Sequence, residues 1–250
     1  MDRYIYTAMT GASQTTSRLA AVSHNLANIA STGYRAEEHR FRAVPVQSHN
    51  SPAALPTRVF AVDASTHSDF SAGPMQYTGR QLDVAVQGEG WIALAMPDGS
   101  EAYTRNGSLE LSTEGVLQTR TGIPVQGDGG PISIPPDQKI TVGKDGTVSV
   151  IPETGAQNTV NSIGRIKLVN PDPADLVRGA DGLFRIKTGE PATLSENSQL
   201  VSGYLEGSNV NAVDQMVTMI SLSRQFEMQM QMLQRASQND QSATQVISAR

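Results

Sequence analysis

The N-terminal region of the chain contains a long segment that is almost free of charge. Between Tyr4 and Tyr34 the only formally charged side chain is Arg18. Four apolar residues of this segment lie seven positions apart, namely Ile5, Ala12, Leu19 and Leu26. Because an α-helix completes a turn about every 3.6 residues, this spacing predicts a helix of about 25 residues with one apolar face. The other faces carry small uncharged residues, which favours close packing against neighbours on several sides.

Stop signals follow this helix, and an extended segment comes after them. Asn and Gly tolerate left-handed backbone angles, and Ser and Thr hydroxyls compete for backbone hydrogen bonds, so we expect the helix to end between Asn28 and Gly33. Residues 36–80 contain four prolines, at positions 45, 52, 56 and 74. Since proline is excluded from helix interiors and central strands, this segment is predicted to be an extended connector with one or two short strands.

Residues 81–205 have the pattern of a β domain. Short β-type runs occur at 82–86, 91–95, 115–118, 131–134, 140–142, 146–150, 165–169 and 182–186. Similar acidic turns separate several of them, at Asp98-Gly99, Glu114-Gly115, Asp145-Gly146 and Asp181-Gly182. Turns of this kind at short spacing predict hairpins of antiparallel strands. The absence of intervening helical patterns disfavours a doubly wound parallel sheet.

From Glu206 the pattern returns to helix. Ser208 or Asn209 is the expected N-cap, and the helix is predicted to run to about Ile247. Asp214 falls in the first turn, where the helix dipole favours an acidic residue. The apolar residues of this helix follow spacings of three and four, which is compatible with coiled-coil packing. They are Val213, Met216, Val217, Met219, Ile220, Phe226, Met230 and Leu233.

These segments predict a mainly β central domain flanked by long N- and C-terminal α-helices. The expected divisions are an N-terminal polymerisation helix at 1–35, an extended connector at 36–80, an all-β domain at 81–205 and a C-terminal polymerisation helix at 206–250. Both helices could pack on the β domain as ordinary core helices. Helices that cannot complete a core alone, however, are marginal in water and become ordered when neighbours bury them. We therefore expect the two helices to pair, in a coiled-coil-like manner, when the protein assembles into a polymer.

Composition argues against several classes of function. The chain has 19 basic and 24 acidic residues, a net charge of −5 and no basic block, so binding to nucleic acid is not expected. It contains no cysteine, which excludes disulfides and thiolate metal sites. No stretch reaches the roughly 18 apolar residues of a transmembrane helix, so membrane insertion is not expected. The first residues also lack the apolar run of a cleaved signal peptide.

Motifs for catalysis or metal binding are weak. None of the four histidines has the spacing of a zinc helix, and the serine-nucleophile motif Gly-x-Ser-x-Gly does not occur. The sequence therefore predicts a protein that is not an enzyme and holds no cofactor or metal. One alternative stays open, a secreted β domain that acts on cell-wall glycan, because glycosidases use paired carboxylates. Its candidate acids are Asp83, Glu89, Asp98 and Glu101.

Several segments together resemble the flagellar rod and hook axial protein family. They are Ile5-Tyr6-Thr7-Ala8-Met9, Asn25-Leu26-Ala27-Asn28, Gly33-Tyr34-Arg35, Arg42-Ala43-Val44-Pro45-Val46, Tyr103-Thr104-Arg105-Asn106-Gly107, Leu205-Glu206-Gly207-Ser208-Asn209-Val210 and Arg224-Gln225-Phe226-Glu227-Met228-Gln229. The resemblance runs along nearly the whole chain and is greatest for proximal rod proteins, with a distal rod or hook-type axial protein as the alternative. One departure is Ser31, where the family usually has threonine; serine retains the hydroxyl.

This resemblance implies a non-enzymatic structural subunit. Family members are exported without signal cleavage by the flagellar type III export apparatus. They assemble with themselves and with other rod proteins into the periplasmic rod of the basal body, which transmits motor torque. Their terminal helices pair to line a tube around the export channel. The residues expected at this assembly interface are Ile5, Met9, Ala12, Leu19, Leu26, Asn28, Gly33, Tyr34, Arg35, Asn209, Met216, Ile220, Phe226, Met230 and Leu233.

Two further expectations concern the corner after the first helix and the state of the free chain. The segment from Asn25 to Arg35 is expected to be where the chain leaves the helical tube, so replacing Gly33 with Val should impair assembly without unfolding the β domain. Free monomers are expected to have protease-sensitive termini around a resistant fragment of about residues 80–205.

Overall fold

The chain has a long helix at each end and a series of β-strands between them. The computed structural model describes residues 2–45, 59–136, 138–152 and 160–248. The helices are α1 (Asp2–Ala27) and α2 (Ala212–Ser248), and a 3₁₀ turn lies at Pro173–Asp175. The strands are β1 (Glu37–Pro45), β2 (Val59–Ser68), β3 (Met75–Tyr77), β4 (Val84–Gln87), β5 (Trp91–Ala95), β6 (Glu101–Thr104), β7 (Leu109–Leu111), β8 (Leu117–Thr119), β9 (Gln126–Gly127), β10 (Gly130–Pro131), β11 (Gln138–Val142), β12 (Thr147–Pro152), β13 (Asn161–Arg165), β14 (Leu168–Val169), β15 (Leu176–Arg178), β16 (Phe184–Ile186), β17 (Gln199–Ser202) and β18 (Tyr204–Glu206). The prediction of a β-rich central region between two terminal helices is confirmed.

The chain divides into two compact units. Unit 1 comprises Met1–Ile29, Ala36–Asp69 and Val210–Arg250, and unit 2 comprises Ala30–Arg35 and Phe70–Asn209. The predicted connector at 36–80 is thus divided, since its first part belongs with the two helices and its last part with the β strands. The segment 30–35, which the sequence grouped with the N-terminal helix, belongs to unit 2.

In unit 1, α1 ends near the predicted position. Its last residue is Ala27, and the Asn28 N–H donates to the carbonyls of His24 and Asn25 at 3.2 and 3.1 Å. Asn25 has a buried side chain that exchanges two hydrogen bonds of 2.9 Å with the backbone of Glu37. These bonds tie the end of α1 to the start of β1.

The second helix begins later than predicted. Its first residue is Ala212, and its N-cap is Asn211, whose Oδ1 accepts a hydrogen bond from the Val213 N–H at 3.0 Å. The predicted caps, Ser208 and Asn209, lie before this turn. Asn211 directly precedes the first helical residue. Its side chain can therefore reach a free N–H of the first turn, whereas Ser208 and Asn209 are too far from that turn.

The part of the connector in unit 1 contains longer strands than predicted. β1 and β2 pair antiparallel from Glu37 with Ser68 to Pro45 with Val59, and the register shifts between Arg40 and Phe41. Both strands contact α1. Along 37–42 half-buried and exposed residues alternate, so one face of β1 packs while the other is solvated. Because the residues on the solvated face are charged, the segment has no apolar run, and the sequence did not predict this strand.

Unit 2 is built from antiparallel strands in several small sheets. The largest sheet has the order β14-β5-β6-β16-β15, a second has the order β11-β12-β13, and four strand pairs complete the unit, namely β4-β17, β3-β18, β7-β8 and β9-β10. A buried aliphatic cluster fills the interior and includes Ile92, Leu94, Leu117 and Ile166. A second buried cluster contains the aromatic residues Trp91, Tyr103 and Phe184.

Most of the predicted β runs overlap strands of unit 2, and the run at 131–134 is the main exception. Ile132 and Ile134 are buried, yet Pro131 is the only residue of the run that belongs to a named strand, β10. Ser133 makes an isolated bridge to Val116. Because prolines at 131, 135 and 136 lack an N–H, this run cannot extend a regular ladder, although its apolar side chains still fill the core.

Candidate assembly interface

Within unit 1, α1 and α2 pack against each other along a seam with alternating spacings of three and four residues. We define the seam by the periodic positions that are buried or half-buried on the facing sides. On α1 these are Ala8, Ala12, Thr15, Leu19, Val22 and Leu26, and on α2 they are Gln215, Met219, Leu222, Phe226, Gln229, Leu233 and Ala236. Leu222 is the most deeply buried apolar residue of α2, with 3% of its surface exposed.

A polar contact joins the two helices in the middle of the seam. Thr15 Oγ1 donates a hydrogen bond to Gln229 Oε1 at 3.1 Å. One turn earlier on α1, a methyl group added at Gly11 would lie 3.3 Å from Gln229 Nε2. Small residues on α1 therefore allow the larger side chains of α2 to approach closely.

On the side of α2 opposite the seam, four large apolar residues are exposed. Val213, Met216, Val217 and Ile220 are 66%, 51%, 61% and 56% exposed, respectively. Their spacing of i, i+3, i+4 and i+7 places them on one helix face. We call these four residues the outer stripe of α2. A contiguous group of exposed apolar side chains is typical of an interaction site.

A second side of α1, about 100° round the helix from the seam, is exposed and uncharged. It carries, again at spacings of three and four, the exposed residues Tyr6, Met9, Ser13, Thr16, Ala20, Ser23 and Ala27. We call these seven residues the outer face of α1. From Ser13 onward every member is small, so the backbone of another helix could approach this face closely.

The predicted interface residues of the helices fall on different faces. Ala12, Leu19, Leu26, Phe226 and Leu233 lie in the seam within one chain. Met9, Met216, Ile220 and Met230 are exposed. Ile5 belongs to α1, but its side chain lies outside the described residues.

Sequence reasoning missed Val213 and Val217 as interface candidates and did not separate the two faces of α2. The signal was present in the sequence, since two sets of positions spaced by three and four, offset by half a turn, predict a helix with two contacting sides.

The remaining predicted residues lie at the end of α1 or inside unit 2. Asn28 closes α1, as described above. Gly33, Tyr34, Arg35 and Asn209 all belong to unit 2, where they contact other residues of the same chain.

At the centre of these contacts is Glu206, the last residue of β18. Its carboxylate lies 2.7 Å from the Arg35 guanidinium and 3.1 Å from that of Arg105, and the side chains of all three residues are almost completely buried. The Gly73 N–H also donates to Glu206 Oε1, at 2.9 Å. One carboxylate thus serves two buried cations, and we call these three charged residues the Glu206 cluster.

Carbonyl groups and an aromatic ring complete the surroundings of the two arginines. Arg35 donates to the Ser71 carbonyl at 2.7 Å, and Arg105 donates to the Gly88 carbonyl at 2.8 Å. Both guanidinium groups lie over the Trp91 ring, at 6.0 and 5.4 Å from its centroid. Burial lowers the pKa of Arg105, and the Glu206 carboxylate opposes this effect by favouring the charged form.

Gly33 sits against the backbone of the Arg105 region. It has a φ of +68°, and an added Cβ would lie 2.4 Å from Arg105 C and from Asn106 N. Its N–H donates to the Glu206 carbonyl at 2.7 Å. The neighbouring Thr32 hydroxyl donates to Asn106 Oδ1 at 2.8 Å. Glycine is required here both for the backbone angle and for the close approach.

Tyr34 and Asn209 complete the contacts of this segment. The Asn209 N–H donates to the Tyr34 carbonyl at 3.3 Å, and Asn209 Nδ2 donates to the Ser71 carbonyl at 3.2 Å. The Arg178 guanidinium lies 4.5 Å from the centroid of the buried Tyr34 ring. Three of the sequence segments that carry the family resemblance, at 33–35, 103–107 and 205–210, therefore converge in one place. Glu206 and Arg105 were quoted within these segments, but their ion pairing required the tertiary structure.

Two acids proposed as glycan-acting residues have charged partners in unit 2. Asp83 is buried, lies 3.5 Å from Arg80, and accepts a hydrogen bond from the Ser108 hydroxyl. Glu101 pairs with Lys167 at 2.6 Å. Both carboxylates are thus held by basic side chains that stabilise the ends of strands.

The other two acids of that set have polar partners at the surface. Asp98 Oδ1 accepts hydrogen bonds from the Ser100 hydroxyl at 2.6 Å and from the Ser100 N–H at 2.9 Å, and these bonds lower the pKa of Asp98. Glu89 accepts a hydrogen bond from Asn170 at 3.4 Å. Turn formation and local pairing account for the positions of these acids.

The described residues form neither a metal site nor a membrane-spanning helix. In that part of the chain, no group of three or more His, Cys, Asp or Glu side chains is placed to hold a metal ion. Neither of the two described helices combines the length and apolar character needed to cross a membrane.

Comparison with known families gives matches in three parts of the chain. The family model described as "Flagella basal body rod protein" matches residues 5–35. The model described as "Flagellar hook protein FlgE/F/G D1 domain" matches residues 85–150. The model described as "Flagellar basal body rod FlgEFG protein C-terminal" matches residues 201–246. These matches cover most of α1, a large part of the β unit and most of α2.

Curated relatives match nearly the full length. The chain is 43% identical to the flagellar basal-body rod protein FlgF of Escherichia coli (strain K12), with 99% of each chain covered. It is 31% identical to FlgF of Caulobacter vibrioides, with 97% of each chain covered. It is 30% identical to the rod protein FlgG of Buchnera aphidicola subsp. Schizaphis graminum, with 94% of this chain and 98% of that protein covered. The chain therefore belongs to the family of flagellar basal-body rod proteins.

Proposed function

We propose that this structural rod subunit occupies the proximal part of the basal-body rod and assembles there into a helical tube that surrounds the export channel and transmits motor torque. Identity to the FlgF relatives ranges from 29% to 43% over nearly full length, and its upper values support the proximal position over the distal one. The FlgG relatives reach 28% to 30%. Other rod proteins and further copies of this chain are the proposed partners in the tube.

The outer stripe of α2 is the observation that carries the assembly function. Its four apolar side chains are each more than half exposed in the single chain, and covering them would gain the hydrophobic free energy of burial. The seam uses the opposite side of the same helix. Each terminal helix therefore has one face occupied within the chain and another available for neighbouring subunits, as a tube of packed helices requires.

The proposed pairing on assembly is coiled-coil-like. Seam positions on both helices follow the spacings of three and four residues that knobs-into-holes packing requires. Small residues along α1 permit short distances between helices, and dense packing of this kind resists deformation. A torque-bearing tube needs such resistance.

Export through the flagellar type III apparatus into the periplasm completes the proposal. The route needs no cleaved signal peptide, and its narrow channel suits a chain without disulfides, which the absence of cysteine guarantees. The four acids considered for glycan chemistry have structural partners instead, which supports a non-enzymatic subunit.

A charge placed in the outer stripe tests the assembly function. Ile220→Asp should leave the fold of the single chain intact, because Ile220 is 56% exposed, but should prevent incorporation into rods. The matched control is Gln231→Asp, at an exposed position of α2 beyond the stripe. Both variants are introduced into a flagellated strain that lacks its own copy of this subunit, and motility and the protein content of isolated basal bodies are measured. Normal rods with Ile220→Asp would contradict the proposed role of the stripe.

The position along the rod is tested separately. An epitope tag placed in an exposed turn of unit 2 and imaged on isolated basal bodies should mark the inner end of the rod. Label at the outer end would instead identify a distal rod or hook-type subunit.

A further inference from the structure

We propose that the outer stripe of α2 in one copy packs against the outer face of α1 in the next copy, so that each subunit offers one half of a repeating helix–helix contact. This inference rests on the proposed assembly function and names the partner surface of the same site. It is distinct from the seam, which joins α1 and α2 within one chain.

Size complementarity is the first argument. The outer stripe presents Val213, Met216, Val217 and Ile220, all of them large and apolar. The outer face of α1 presents small exposed residues from Ser13 to Ala27. Large side chains of one helix fill the spaces over small residues of another, as they do when ridges pack into grooves. Two outer stripes facing each other would instead bring large residues against large residues.

Charge is the second argument. The outer face of α1 contains no Asp, Glu, Lys or Arg over its whole length, so an apolar stripe could cover it without burying an unpaired charge. On α2 the next residues on the same side of the helix, after the stripe, are the charged Arg224 and Glu227. The outer stripe is thus limited to the first turns of α2, where the contact is expected, although Met228, Met230 and Met232 are also exposed further along the helix.

The seam supplies the third argument, because its N-terminal half on α1 already shows this pairing within one chain. There, Gly11, Ala12 and Thr15 of α1 accept the approach of larger residues of α2, and Gln229 comes within 3.3 Å of where a Gly11 methyl group would lie. The proposed contact repeats the arrangement of this half of the seam on another side of each helix, with small α1 residues against large α2 residues.

The symmetry of the contact fits a growing polymer. Two different surfaces of one chain meet, so every added copy leaves one outer stripe and one outer face uncovered for the next copy. A contact between two identical stripes would close after a single pair. The proposed pairing therefore allows continued helical growth, whereas stripe-to-stripe pairing would stop it.

Disulfide cross-linking in assembled rods tests the pairing directly, because the natural chain has no cysteine. Val217→Cys is combined in turn with Ser13→Cys, Thr16→Cys, Ala20→Cys or Ser23→Cys, and the rods are oxidised mildly. Within one chain the two surfaces do not face each other, and Cα atoms on such sides of two packed helices lie roughly 10 Å or more apart, which is beyond the reach of a disulfide. A bond can thus form only between copies.

The expected result is a ladder of linked chains for at least one of the four pairs. Val217→Cys alone should give no linked species, and dimers from this single variant would show stripe-to-stripe pairing and overturn the inference. Thr15→Cys with Gln229→Cys is the control for the seam and should give a bond within each monomer. Rods that contain the paired variants but form no ladder also overturn the inference, while the proposed function stands.

A second measurement needs no oxidation and covers the case in which the cysteine pairs fail to assemble. Ala20→Lys should lower incorporation into rods by about tenfold or more, because it would bury a charge in the contact. Gln238→Lys, at an exposed position of α2 beyond the stripe, should leave incorporation nearly unchanged. Equal incorporation of the two variants would overturn the inference. If the unaltered chain itself fails to enter rods, the proposed function is wrong rather than this pairing.

Discussion

The Arg35 guanidinium lies 2.7 Å from the Glu206 carboxylate, and neither side chain has more than 1% of its surface exposed. Arg35 is the last residue of the short segment 30–35 of unit 2, and Glu206 lies near the end of the long segment of the same unit, just before the chain continues to α2. The pair therefore joins the two segments of unit 2 at a buried site. Since Glu206 also serves Arg105, its loss would leave two cations without a countercharge.

Glu206→Gln is expected to destabilise unit 2 strongly. Removing one partner of a buried ion pair costs about 3–5 kcal/mol, because the remaining charges are left unpaired in a medium that solvates them poorly. The measurement is denaturant unfolding of the free chain, followed by fluorescence of Trp91, the only tryptophan, whose ring lies beneath both arginines. The control is Arg185→Gln, which removes a partly exposed pair with Asp181 and should cost less than about 1 kcal/mol. Equal effects of the two variants would contradict a stabilising role for the Glu206 cluster.

Gly33→Ala is expected to cost more than Gly99→Ala. Both glycines have positive φ, at 68° and 82°, so each substitution carries a similar backbone penalty of about 1–2 kcal/mol. An added Cβ at Gly99 meets nothing within 4 Å, whereas at Gly33 it meets backbone atoms at 2.4 Å. The difference in unfolding free energy between the two variants measures the close approach of Gly33 to the Arg105 backbone.

The bulkier Gly33→Val substitution then tests the expectation that assembly fails while the β strands stay folded. Its readouts are rod incorporation and the fluorescence of Trp91 in the free chain. Complete unfolding of unit 2 by this substitution would show that the segment 30–35 is needed for the β fold itself.

The two sides of α2 are expected to respond differently to truncation. Leu222→Ala should destabilise unit 1 by about 2–4 kcal/mol, because Leu222 is buried in the seam and its loss leaves a cavity. Ile220→Ala, two residues earlier on the exposed side, should change stability by less than about 1 kcal/mol. Thermal unfolding followed by the helical circular dichroism signal distinguishes them. Similar losses from both would mean that the seam does not stabilise the free chain.

Tyr103 is expected to make stability depend on pH in the alkaline range. Burial raises the pKa of Tyr103 from 10.0 to about 12, and the nearby Glu101 carboxylate adds to this rise. The phenol therefore ionises more readily in the unfolded chain than in the folded one. Its contribution is complete below about pH 10 and is lost as the pH rises towards 12, by an amount on the order of 2 kcal/mol.

Tyr103→Phe isolates this effect from other groups that titrate at high pH. At pH 7 the variant should be less stable than the natural chain, because the hydroxyl accepts a 2.8 Å hydrogen bond from the Ala192 N–H and donates to Glu101 at 3.1 Å. Between pH 10 and 12 the difference in unfolding free energy between the two chains should shrink. Only the natural chain has a phenol at this position, and it loses the stabilisation by the neutral phenol as the pH rises. A constant difference across this range would contradict the assigned pKa.

Limited proteolysis of the free chain should yield a resistant fragment close to residues 70–209. This range is wider than the 80–205 expected from the sequence, because β3 (Met75–Tyr77) pairs with β18 and Asn209 is held by Ser71. Exposed positions at the end of α2 should be cut first. Mass spectrometry of the fragments gives the boundaries, and a fragment that begins after Tyr77 would show that the β3 pairing is not maintained.

Local chemistry made part of this fold predictable. The uncharged periodic segment identified α1, and Asn28 ended it, because helix periodicity and stop signals act over a few residues. The four acidic-glycine turns were also recognised, and their glycines have φ values of 82°, 80°, 86° and 79°. Such turns depend on one residue that adopts a left-handed conformation, so sequence alone identifies them.

Features that depend on distant partners were not predictable in the same way. β1 carries charged residues on its solvated face, and only its pairing with β2 and its contact with α1 make it a strand. The N-cap of α2 could be predicted only by knowing at which residue its first turn begins. The Glu206 cluster joins residues from three separate segments, and a single sequence contains no information about which glutamate meets which arginine. The candidate interface on the two helices stays a prediction, and the separation of seam and outer residues required the burial of each side chain.

Arg35, Ser71 and Asn209 lie at or next to three of the four places where the chain passes between unit 1 and unit 2, and hydrogen bonds to the Ser71 carbonyl join all three. The intervening β segment is therefore an insertion whose ends are fixed together at one point. Its length and internal sheets could then change while these ends keep their spacing, so we expect the segment between Ser71 and Glu206 to be exchangeable. Swapping it between rod subunits should transfer the properties of the β unit without altering the two terminal helices.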